Sequence, residues 1–106
     1  MEEISAKELK ARMDAGEEIQ LIDVRQREEF EFARIPGAKL IPLGELMSRA
    51  SELDPSREAI LHCKMGGRSA KAIEMLRQAG YTGKLTNLTG GITAWSNDVD
   101  PSVPKY

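Results

Sequence analysis

The chain has 106 residues, 15 Lys plus Arg against 17 Asp plus Glu, 41% apolar residues, one Cys and one His. That length predicts one domain, the lone cysteine excludes an internal disulfide, and one Cys with one His cannot furnish the four ligands of a closed zinc site, so no metal or cofactor is expected. A net charge of −2 with 5% aromatics speaks against a nucleic-acid binder, no apolar run approaches the roughly 20 residues of a membrane span, and Met1-Glu2-Glu3-Ile4 lacks the features of a signal peptide; the expectation is a soluble, cytoplasmic, monomeric domain.

In chain order, Ser5 and Glu8 form a capping-box pattern that opens a helix, Leu9 and Met13 share one face, and Gly16 supplies the left-handed stop. Ile19 to Val24 reads as a short buried strand ending at Arg25, and Glu28 to Phe32 as a short helix. The turn Ile35-Pro36-Gly37-Ala38 feeds a strand over Lys39 to Ile41, followed by a short helix over Glu45 to Arg49 and a loop at Asp54-Pro55-Ser56. Ala59 to His62 is a further apolar strand leading directly to Cys63. Ser69 through Ala79 reads as a helix, with Ala70, Ile73, Leu76 and Arg77 at helical spacing and Gly80 ending it. Lys84 to Leu88 gives the last strand, then Gly90-Gly91 and a helix around Ile92 to Trp95, with a tail carrying Pro101 and Pro104 running irregularly over the surface. Alternating short strands and helices predict an α/β domain with a central, mostly parallel sheet of four to five strands and helices on both faces.

Charge is uneven. Residues 1–31 hold ten acids and five bases, and residues 32–106 hold seven acids and ten bases, so the two segments carry −5 and +3. A solvated acidic face on the early helices accounts for the first part. The second part points to a basic mouth formed by Lys64, Arg68 and Lys71.

The informative segment is Cys63-Lys64-Met65-Gly66-Gly67-Arg68-Ser69. A cysteine ends a strand, a glycine-bearing loop follows, and a helix starts at Arg68 or Ser69. In a parallel sheet this is the carboxyl edge, where ligands bind. The helix N-terminus and its free N–H groups favour an anion there. Gly66 and Gly67 let successive N–H groups converge on one point. A free thiol has a pKa of about 8.5, and such surroundings lower it to roughly 3.5–7.5, which predicts Cys63 as an activated, partly exposed nucleophile. The competing reading is a small buried hydrophobe. His62, the adjacent strand residue, should point to the opposite face and be structural. Four residues separate Cys63 from Arg68, one fewer than in cysteine-dependent phosphatases. The shorter loop suits a single terminal sulfur better than a phosphoryl group.

Three ordered motifs resemble the rhodanese family of sulfurtransferases over nearly the whole chain. They are Leu21-Ile22-Asp23-Val24-Arg25 with Glu29-Phe30, Ile35-Pro36-Gly37-Ala38 and Ile41-Pro42; the Cys63–Ser69 loop; and Gly90-Gly91-Ile92-Thr93-Ala94-Trp95. Ala33-Arg34 stands where many members have Gly-His, so no role falls to a histidine there. The loop and the ending through Asp100-Pro101 to Pro104-Lys105-Tyr106 are most similar to the rhodanese domains at the C-terminus of adenylyltransferases related to ubiquitin-activating enzymes, which serve molybdopterin biosynthesis and thiolation. The resemblance implies a domain excised from a longer protein.

It also implies a mechanism. Cys63 would take a sulfane sulfur, from thiosulfate or a desulfurase persulfide, and hold it as its own persulfide. The loop N–H groups of Lys64, Met65, Gly66, Gly67, Arg68 and Ser69 would surround the terminal sulfur, with Lys64 and Arg68 attracting the anionic donor or Arg68 bracing the loop. The acceptor would be a ubiquitin-like sulfur carrier activated by an upstream adenylyltransferase domain. Asp23 and Arg25 would support the site by pairing with each other or with loop backbone. Gly90-Gly91 would be a tight turn for close packing, Trp95 a core residue, and Met65 an exposed residue shaping access. The rivals are a cysteine phosphatase or arsenate reductase, and a catalytically silent interaction module on the same fold.

Overall fold

A computed structural model describes residues 1–106. In chain order the elements are β1 (Glu2–Ile4), α1 (Ala6–Asp14), β2 (Gln20–Asp23), α2 (Arg27–Phe32), β3 (Lys39–Leu40), β4 (Ala59–His62), α3 (Gly67–Gln78), β5 (Leu85–Leu88) and α4 (Gly91–Asp98), with short 3-10 turns at Leu43–Glu45 and Ala50–Glu52. The sheet is five-stranded in the order β1-β5-β4-β2-β3, and every pairing is parallel. β4 lies at its centre because all four of its side chains can be buried. The edge strands β1 and β3 have three and two residues, short enough to offer little template for further pairing.

The period of two along each strand splits the core in two. Ile22, Val24, Leu61 and Cys63 pack with Ala72, Ile73 and Leu76 of α3. Leu21 and Ile60 point the other way, onto Leu9 of α1 and Ile92 and Trp95 of α4. Helices therefore cover both faces, as the alternation predicts, and Trp95 is core. No helix is long and apolar enough to cross a membrane.

The local signals hold best where a side chain or a glycine caps an element. Ser5 and Glu8 close a complete capping box on α1, and Gly16 turns with φ 75°. Four expectations need correction. β1 is an additional strand, formed by pairing with β5, 84 residues further on, and by burial of Ile4. The helix expected over Glu45–Arg49 is absent, replaced by the two 3-10 turns, since Pro42 and Gly44 leave too few residues to nucleate a helix. α3 begins at Gly67 rather than Arg68 or Ser69, with Gly66 as its N-cap. Its buried face is Ser69, Ala72, Ile73 and Leu76, so Ala70 and Arg77 fall outside it.

Candidate active site

β4 delivers Cys63 to the carboxyl edge of the sheet, and the chain turns at once into α3. Gly66 makes that turn with φ 116°, a conformation that a side chain would strain. The turn aims the Gly66 N–H at Cys63 Sγ, 3.1 Å away, and brings Ser69 Oγ to 3.5 Å. Burial pushes the Cys63 thiol up. The Ser69 hydroxyl and the N–H groups of Ser69, Gly66 and Met65 outweigh it, and the net direction is down from 9.0. Cys63 itself is only 2% exposed, not the partly exposed residue that its loop position suggests, because the loop curls over the sulfur. Met65 is 67% exposed on the rim, as expected.

α4 braces this loop from behind. Ile92 and Thr93 donate their N–H groups to the carbonyls of Cys63 and Lys64, at 3.0 and 3.1 Å. Gly91 makes the approach possible: a Cβ there would lie 2.5 Å from both carbonyl oxygens. The tight turn inferred for Gly90-Gly91 is thus a clasp on the cysteine loop.

The charges are arranged differently from a plain basic mouth. Arg68 forms a two-pronged ion pair with Glu29 of α2, at 2.7 and 2.9 Å. Arg68 together with Tyr106 and the Gln26 N–H holds the Glu29 carboxyl down to about 2, against the opposing effect of burial. One of the expected cations is therefore neutralised by an acid. Lys64 forms no ion pair, and its ammonium lies 4.6 Å from the centre of the Tyr106 ring. Lys71 is exposed on α3.

Asp23 and Arg25 pair with each other, as one of the two expected arrangements has it, and both are fully buried. Arg25 also donates to the Ala33 carbonyl and to the Tyr106 hydroxyl. Tyr106 in turn donates to Glu29 at 2.6 Å. The pair does not touch the cysteine loop but reaches it on one side through Tyr106, Glu29 and Arg68 and on the other through His62, whose Nε2 lies 3.7 Å from Asp23 Oδ2. His62 lies on the far face, fully buried, with Nδ1 3.3 Å from the Cys63 carbonyl; burial lowers it from 6.5 and keeps it neutral. The structure thus gathers Cys63, Gly66 and Ser69 around the sulfur and sets Lys64, Met65, Gly67 and Arg68 along the rim. It leaves Asp23 and Arg25 one layer behind.

Three site neighbours escape a sequence reading. Glu29 lies within the first motif but receives no role there; its local signal is that of a helix first turn, where its carboxylate accepts from the Gln26 N–H. Tyr106 lies in the tail, and Asn87 in a strand with no chemical pattern around it. The surface cavities, the largest about 530 Å³ between the N-terminus and α3, all lie away from the loop.

The model of the rhodanese-like domain family matches residues 5–98. The chain belongs to that family. It is 36% identical to a sulfurtransferase of Allochromatium vinosum, covering 95% of this chain and 94% of that protein. It is equally identical to the maize adenylyltransferase and sulfurtransferase MOCS3-1, covering 97% of this chain but 23% of the larger protein. A rhodanese-like domain protein of Staphylococcus aureus superposes with a TM-score of 0.85 at 30% identity, over 100% of this chain and 99% of that one. Of the longer curated relatives, the chain spans between 23% and 52% of their length. Family membership and relatives named sulfurtransferase support a sulfurtransferase role for this rhodanese-like domain.

Proposed function

We propose that this domain accepts a sulfane sulfur on Cys63 as a persulfide and passes it to a nucleophilic or activated acceptor. The observation that carries the reading is the Gly66 N–H pointed at Cys63 Sγ from the start of α3. The N–H groups of Met65 and Ser69 also bear on that sulfur. Donors placed this way stabilise negative charge on the cysteine sulfur and, after transfer, on the sulfur beyond it.

The Cys63 thiolate attacks the outer sulfur of thiosulfate; the new S–S bond forms as the old one breaks, and sulfite leaves with the electron pair. A desulfurase persulfide would donate in the same way, with its thiolate as leaving group. Cyanide attacking the outer sulfur gives thiocyanate and restores the thiolate. With an acyl-adenylate of a ubiquitin-like carrier, the persulfide displaces AMP to give an acyl disulfide. Two equivalents of an external thiol then release the thiocarboxylate and regenerate Cys63, because the chain has no second thiol. An upstream adenylyltransferase domain and a cytoplasmic setting complete the reading, with the two-function name of the maize relative in its favour.

Incubation with thiosulfate followed by intact mass measurement tests it. One added sulfur, removed by cyanide and absent in Cys63→Ser, is the expected result. No adduct on the wild-type chain, or an adduct surviving Cys63→Ser, overturns it. Cys63-dependent hydrolysis of an aryl phosphate without sulfur loading would establish the phosphatase rival instead.

A further inference from the structure

Ser69 has one hydroxyl proton and three acceptors around it. Asn87 Oδ1 is at 2.6 Å, the Gly66 carbonyl at 3.2 Å and Cys63 Sγ at 3.5 Å. Asn87 sits on β5 with its side chain towards α3 and is 5% exposed. Its amide orientation follows from its other contact: Nδ2 donates to the Gly66 carbonyl at 3.3 Å. Reversing the amide would set two carbonyl oxygens against each other there. Oδ1 therefore faces Ser69 and can only accept.

We propose that Asn87 is a positioning residue for Cys63, acting through Ser69 as the resting acceptor of a hydroxyl that turns between two partners. While Cys63 is a neutral thiol, the 2.6 Å bond to Asn87 is the shorter and holds the proton. When the thiolate forms, a hydrogen bond to an ionised acceptor is about twice as strong as a neutral one, and the hydroxyl turns towards sulfur. In the persulfide the charge moves outward by one S–S bond of about 2 Å, away from Ser69, and the hydroxyl returns to Asn87. No proton is transferred to or from Ser69 at any stage. The competition by Asn87 keeps the thiolate from being held too firmly, and a less stabilised thiolate is the stronger nucleophile. The other charged groups near the loop do not substitute for this contact. Arg68 is occupied by Glu29, Lys64 lies over Tyr106, and His62 is on the opposite face of β4.

This rests on Cys63 being the nucleophile of the proposed transfer, but its test uses no sulfur. The pH dependence of Cys63 alkylation is measured in wild type, Asn87→Leu, Ser69→Ala and the double variant. Freed from Asn87, the Ser69 hydroxyl serves the thiolate alone. Asn87→Leu should therefore shift Cys63 ionisation to lower pH, favouring thiolate about three- to tenfold. With Ser69→Ala already present, the same substitution should produce no shift. No shift on Asn87→Leu while Ser69 is intact, an upward shift, or an equal shift in the Ser69→Ala chain overturns the proposal. A measurement on the wild-type chain guards against misfolding of the variants: the Asn87 side-chain amide resonances should move with Cys63 titration and cease to do so in Ser69→Ala. An amide blind to that titration also overturns it. Thiosulfate loading of wild type, run in parallel, separates the two ideas. Loading without the Asn87 shift removes only the role of Asn87, whereas failure to load removes the sulfurtransferase reading.

Discussion

Two strand-to-helix junctions lie side by side at the carboxyl edge of the sheet, β4–α3 and β5–α4. Both turn on a glycine with positive φ, Gly66 at 116° and Gly90 at 76°. Both present the N–H groups that a helix start leaves without intrahelical partners. They differ in where those groups are directed. At α4 the donors of Ile92 and Thr93 are taken by the carbonyls of Cys63 and Lys64. At α3 the Gly66 donor faces a sulfur atom. One junction uses its donors to hold backbone, and the backbone it holds belongs to the other. A shared local geometry therefore gives a clasp in one place and, on the function proposed, an anion cradle in the next.

The largest effect should come from breaking the clasp. Gly91→Ala would place a Cβ 2.5 Å from two carbonyl oxygens at φ 56°, with only backbone to give way. Overpacking and backbone strain together predict a loss of about 3 kcal/mol. Gly67→Ala, in the first turn of α3, meets nothing within 4 Å and should change stability by less than about 1 kcal/mol, since Ala suits a helix better than Gly. Urea unfolding of the two variants checks the pair. Equal losses would show that the junctions are not divided into brace and cradle.

Much of this division is visible in the chain itself, because it depends on residues close in sequence. Cys63, the two glycines after it and the helix start are contiguous, and so are Gly90, Gly91 and the apolar turn ending at Trp95. What ties the parts together is long-range. Glu29 meets Arg68 across 39 positions, Tyr106 meets Glu29 across 77, and Asn87 meets Ser69 across 18. No local periodicity encodes such pairs. β1 was hidden for the same reason: of its three residues only Ile4 is buried, and its strand character comes from β5. The burial of Cys63 depends on the path of the Gly66 turn, which motif spacing does not specify.

A smaller effect should follow from releasing the cradle on its outer side, where Glu29 holds Arg68. The Glu29 carboxyl is lowered from 4.5 to about 2 in the fold. A depressed folded value means that its stabilisation is present above about 4.5 and disappears as pH falls towards 2. Glu29→Gln should cost about 1 kcal/mol at neutral pH, reduced by solvent at the rim. The gap to wild type should close on acidification to near pH 2. His62, neutral in the fold, must charge on unfolding below its ordinary 6.5, so both proteins also weaken as pH falls below that value. That contribution cancels in the difference between them. A gap that stays constant down to acid pH would mean that Glu29 acts by packing rather than by charge.

The smallest effect tests whether the outer support reaches beyond Glu29 into the buried pair at β2. Tyr106→Phe keeps the ring beneath Lys64 and edge-on to Phe32. It removes only the hydroxyl that accepts from Arg25 and donates to Glu29. Neither partner is stranded: Arg25 retains Asp23 and the Ala33 carbonyl, and Glu29 retains Arg68 and the Gln26 N–H. The loss should therefore be that of a satisfied, solvent-reachable hydrogen bond, at or below about 1 kcal/mol. The alkylation rate of Cys63 should stay at the wild-type value, because Arg68 remains clamped and the Gly66 donor is untouched. A marked change in that rate would move Tyr106 from the outer support into the cradle itself, and the contrast between the two junctions would then extend to the tail.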